Sequence, residues 1–125
     1  MRKFALVAAL FALTFTTAAQ AMTVAEFLDK AHRLQSKGLF APFYDDFKLL
    51  KAEIRGITLG YHQDIAAAKA AGKQPESCPP ARNSPESKLK PEVLLAELDK
   101  IPPAQRGISM KTAFYAFMRN HYPCR

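Results

Sequence analysis

The side chains able to do chemistry in this chain are few and scattered. Three histidines, His32, His62 and His121, stand far apart. None belongs to an H-E-x-x-H or C-x-x-C spacing of the kind that gathers a metal ion, so neither a metal nor any other cofactor is expected. Asp45 and Asp46 are neighbours; on a helix they project about 100° apart, too divergent to serve one substrate as acid and base. They suit the positive amino end of a helix better. The chain has no G-x-S-x-G elbow, phosphate-cradling glycine loop or dinucleotide fingerprint, and a non-enzymatic role is the expectation.

Cys78 and Cys124 are the only cysteines. A catalytic cysteine working with His62 or His121 requires a free thiol. An even cysteine count in an exported chain favours a disulfide instead, and an oxidised sulfur is no nucleophile. The crossbridge would close a loop of about 46 residues, which restricts the unfolded chain by roughly 4 kcal/mol on the chain-entropy relation.

Export is read from the amino terminus. Arg2 and Lys3 precede an apolar run from Phe4 to Phe15, followed by small and polar residues in which Ala19 and Ala21 form an A-x-A cleavage pair. This order is that of a secretory signal peptide, residues 1–21, cleaved after Ala21. The apolar run is too short for the roughly 20 residues that a membrane-spanning helix needs. The mature chain, residues 22–125, is therefore expected to be soluble, periplasmic and a single domain. Removal of Arg2 and Lys3 leaves 16 basic against 11 acidic side chains, and the formal net charge falls from +7 to +5. The basic residues are dispersed and not interleaved with aromatics, which argues against a nucleic-acid face. A mildly cationic exported protein is better suited to acidic proteins, anionic lipid or cell-wall polymer.

The elements that must hold these residues read as helices. Thr23 and Glu26 make a capping box, and Val24, Phe27, Leu28, Ala31 and Leu34 recur at helical spacing; the pattern predicts a first helix over about 24–36, ended by Gly38. Leu39, Phe40, Pro42, Phe43 and Tyr44 are expected to pack as a connector, since so apolar a stretch is costly in water; left exposed, it would mark a partner surface. A long second helix runs from Asp45 to about Ala71 on Phe47, Leu50, Ile54, Ile57, Tyr61 and Ile65, with Gly72 as its stop. Gly56 and Gly60 each cost that helix about 1 kcal/mol relative to alanine. Their expected role is helix packing, the close approach of another backbone, within the chain in preference to a dimer partner.

Residues 73–91 change character, with prolines at 75, 79, 80, 85 and 91 and few apolar groups, and predict a long loop of the kind that is often functional. Pro91 opens a third helix carrying Val93, Leu94, Leu98 and Ile101. Ser109 caps a fourth with Met110, Ala113, Phe114, Phe117 and Met118. No alternating strand pattern of useful length is present. The expected fold is all-α, an irregular four-helix domain closed by one disulfide.

Gly60-Tyr61, then Cys78-Pro79-Pro80 about seventeen residues on, a leucine-rich helix from Leu94 to Pro102, and Tyr122-Pro123-Cys124 at the end form an ordered set. Over residues 54–124 this set resembles the small periplasmic immunity proteins that neutralise type VI secretion amidase effectors. The resemblance implies an exported, disulfide-closed helical protein, often a homodimer, that binds a peptidoglycan amidase and blocks its cleft. On that reading residues 73–87 are the inserted element, with Lys73, Glu76, Arg82 and Asn83 as the partner-binding contacts. Two other readings stand beside it: a periplasmic acid-stress chaperone, which shares the helical, cationic, single-disulfide build, and an envelope adaptor protein.

Overall fold

The capping box forms as its spacing requires. The Glu26 backbone N–H donates to Thr23 Oγ1 at 3.2 Å, and the Thr23 N–H donates to the Glu26 carboxylate at 2.9 Å. From this start α1, Val24–Gln35, buries Val24, Phe27, Leu28, Ala31 and Leu34 along one side. The structure is a computed structural model that describes residues 21–85 and 88–125; all of the expected leader except Ala21 lies outside the described residues.

Beyond α1 a 3₁₀ segment spans Gly38–Phe43 and leads into α2, Asp45–Ala70. Gly72, at φ +67°, ends α2 in a left-handed turn. Its N–H donates to Lys69 O at 3.1 Å and that of Lys73 to Ala68 O at 2.9 Å, the paired closure of a Schellman motif. Residues 73–84 carry no helix or strand, and α3, Pro91–Asp99, has Pro91 in its first turn. A short 3₁₀ turn at Pro103–Gln105 precedes α4, Met110–His121. Ser109 caps α4 by accepting from the Thr112 N–H at 3.1 Å.

The four helices, with no named strand among the described residues, make an irregular all-α domain closed by the Cys78–Cys124 disulfide. α1 lies at the centre, packed against α2, α3 and α4, while α4 also touches α2 and α3. The amino ends of α1 and α4 are stitched together: Thr23 and Ser109 form an isolated antiparallel bridge, Val24 N–H donates to Ile108 O at 3.0 Å, and Met110 N–H to Met22 O at 2.9 Å. Arg106 closes the other end of α3 by donating to Ile101 O and Asp99 O at 2.8 and 2.9 Å, a cation placed on the orphan carbonyls of a helix end.

Two expectations are corrected here. The connector does not pack away: Leu39 is 93 %, Phe40 69 % and Phe43 81 % exposed, and only Ala41 of that segment joins the core. Gly38, at φ +52°, turns the chain outward, and in a 3₁₀ segment residues three apart eclipse, so Phe40 and Phe43 share one outer side. Gly56 and Gly60 do not serve close packing within the chain, because a Cβ built at either position meets no atom of another described segment within 4 Å. The inward side of α2 carries Leu50, Ile57 and Tyr61, and the glycines fall one residue off it.

Candidate functional site

The proline-rich loop is a tethered strap. Cys78 is bonded to Cys124 with the two Cα atoms 4.9 Å apart, and the Cys78 N–H donates to Tyr122 O at 2.8 Å. One residue earlier, Ser77 is fully buried, and its hydroxyl is hydrogen-bonded to the Tyr61 hydroxyl of α2. Tyr61 is held in turn between aromatic edges, with ring centroids 5.6 Å from Phe114 and 5.4 Å from Tyr115. Burial raises the Tyr61 pKa, against the smaller opposing effect of the Ser77 hydrogen bond, so its proton stays in place. Tyr115 O–H donates to Asp64 at 2.5 Å and ties α4 to α2 beneath the strap. Burial, then the bond to Asp64, pushes its pKa up as well.

The four partner-binding candidates occupy different parts of this strap. Lys73 is exposed, with its backbone committed to the α2 cap. Glu76 is turned onto α4, where Arg119 reaches it at 3.4 Å. Arg82 and Asn83 are exposed past the disulfide. Arg82 stands close enough to His62 of α2 that, after burial, its charge is the next cause holding the His62 pKa below the usual imidazole range. Glu76 and Arg82 therefore face different helices.

The remaining titratable groups are also separated. His32 meets Asp99 of α3 at 3.1 Å, and His121 stacks on Phe117 with centroids 5.1 Å apart. Asp46 does more than favour a helix start, since Lys30 at 3.2 Å and Arg33 at 3.1 Å both reach it from α1. Hydrogen bonds from Lys30 and then Arg33 hold its carboxyl below the usual range. Asp45, by contrast, is fully exposed beside Lys48.

Sequence reasoning missed a groove of about 720 Å³ that enters the body between α2 and α3. Leu50 and Ile54 of α2, Leu94 and Leu95 of α3, the buried Phe27 and Phe114, and Pro79 and Pro80 of the strap line it. Lys51, His62 and Arg82 stand among its polar lining. The signal that could have found it is the spacing of Lys51, Thr58 and His62, seven and four residues apart on α2, which puts polar groups along the margin of that helix's apolar side.

Comparison with protein-family models, curated proteins and solved structures found no match to this chain.

Proposed function

We infer that this chain is a periplasmic inhibitor of the immunity kind, which binds a peptidoglycan amidase effector of type VI secretion and blocks its cleft without performing chemistry. The reading rests on the ordered motifs over residues 54–124, and one observation carries it further. The strap that bears Lys73, Arg82 and Asn83 is held at its middle by a disulfide, a backbone hydrogen bond and a buried hydroxyl. A segment ordered before binding loses little entropy on docking, so contact energy appears as affinity. An enzyme cleft is a natural receptor for such a strap, and prolines at 75, 79, 80 and 85, each with φ fixed by its ring, stiffen it further.

The test is inhibition. The mature chain, mixed at neutral pH with the type VI amidase encoded beside its gene, should stop peptidoglycan hydrolysis at a one-to-one ratio. Lys73→Glu combined with Arg82→Glu should restore hydrolysis. An undiminished rate at tenfold excess of the chain sinks the reading, and so does a locus with no amidase gene.

A second reading, the acid-stress chaperone, is favoured by the exposed aromatic segment beside an ionic clamp. Phe40, Phe43 and Tyr44 stand in water next to Asp46, whose bonds to Lys30 and Arg33 acid would release. Suppressed aggregation of many unrelated proteins after acidification, without amidase inhibition, would select it.

A further inference from the structure

We propose that the groove between α2 and α3 is a binding site for a single fatty acid, its acyl chain laid against the apolar lining and its carboxylate met by Lys51. Four observations lead there. The volume, about 720 Å³, falls within the range of roughly 300–1,000 Å³ found for small-molecule sites, which occur between the helices of bundles. Its lining reaches the core, since Phe27, Leu94 and Phe114 are buried residues of the central cluster. The hydroxyl of Tyr61 is already engaged by Ser77, so the deep part asks for no polar partner. The formal charges on the lining are those of Lys51 and Arg82, no Asp or Glu lines it among the described residues, and Arg82 is already engaged whereas Lys51 makes no ion pair with a described residue.

That distribution selects the chemistry. An apolar groove with Lys51 towards one end matches an amphiphile with a negative head. Lys51 and His62 are eleven residues apart on α2, about 16 Å along the groove, and Arg82 stands at the His62 end, so a carboxylate held by Lys51 is out of reach of Arg82. The proposal does not depend on amidase inhibition.

The mature chain, titrated with palmitate below its aggregation concentration by isothermal calorimetry, should bind one equivalent. Affinity should rise about fourfold per added methylene from laurate upward until the groove is filled. Thr58→Trp should weaken palmitate binding at least tenfold, with the helical circular dichroism unchanged. Leu95→Trp, on the opposite wall, is the second occluding variant should the first misfold. Lys51→Glu should weaken palmitate but not methyl palmitate, and Arg82→Glu, at the far end, should change neither. Absence of saturable binding overturns the proposal, as does palmitate uptake indifferent to both tryptophans, or equal affinity for palmitate and its methyl ester. Uptake of phosphatidylglycerol vesicles without free palmitate binding would make the groove a membrane contact. A dimer in sedimentation that Thr58→Trp dissociates, with no palmitate bound, would make it a self-interface. Either outcome also overturns the proposal.

Discussion

Breaking the Cys78–Cys124 bond should lower the melting temperature by about 20 °C. The bond spans 46 positions of sequence, and for that loop the chain-entropy relation gives about 4 kcal/mol of restraint on the unfolded chain. Unfolding entropy of about 2.1 cal/mol/K per residue, over roughly 100 residues, amounts to about 0.2 kcal/mol per degree near the midpoint, and the quotient is about 20 °C. Against a total stability of about 5–15 kcal/mol for a domain of this size, that is a large share. The folded strap keeps its other ties, the Cys78 N–H to Tyr122 O, Ser77 to Tyr61 and Glu76 to Arg119, so the effect should fall on the unfolded state. Calorimetric melts of residues 22–125 with and without tris(2-carboxyethyl)phosphine, beside those of Cys78→Ser/Cys124→Ser, measure it. The double variant should be insensitive to reductant and keep its helical signal at 20 °C. A drop below 5 °C in both comparisons would refute the assignment of this bond as the domain's main restraint.

Four further outcomes follow from named contacts. Tyr61→Phe leaves the buried Ser77 hydroxyl without its partner and should cost about 1–3 kcal/mol in urea unfolding, while Tyr61→Phe/Ser77→Ala should cost less than the two single changes added. Thr23→Ala removes the cap of α1 and should cost about 1 kcal/mol by the same measurement. His62 has a folded-state pKa below that of the unfolded chain. Its contribution is whole above about pH 6.5 and is lost as pH falls through the folded value, so His62→Gln should flatten the stability profile on that side. Asp46 is likewise depressed, by Lys30 first and Arg33 second. Its contribution holds above the unfolded carboxylate value, about 3.9, and is lost as pH falls below it, and urea midpoints of Asp46→Asn should show a shallower loss in acid.

What the residues announce by themselves is local. Thr23 with Glu26, Pro91 in the first turn of α3, Gly72 past the end of α2 and Ser109 before α4 all act within four or five positions, and each stands where its chemistry placed it. The disulfide was legible for a different reason, since two cysteines leave a single pairing. The Asp46 clamp and the Arg106 cap were not legible, because each joins residues whose approach depends on how helices and connectors settle against one another. Short-range spacing carries no record of that.

α2 shows where the limit lies. Its apolar spacing puts Phe47, Leu50, Ile54, Ile57, Tyr61 and Ile65 along one side, yet only Leu50, Ile57 and Tyr61 are buried, and Phe47, Ile54 and Ile65 are half-covered. Periodicity establishes that a helix has an apolar side; it does not supply the neighbour that covers it. Two of the three left short of cover, Phe47 and Ile54, line the groove, and Gly56 and Gly60, read as the sign of a near neighbour, fall one residue off the packed side. The shortfall between the side that the spacing draws and the side that packing fills is therefore itself a site signal. On α2 it marks the wall of a cavity, just as on Phe40 and Phe43 it marks an apolar surface with no cover from the other described residues.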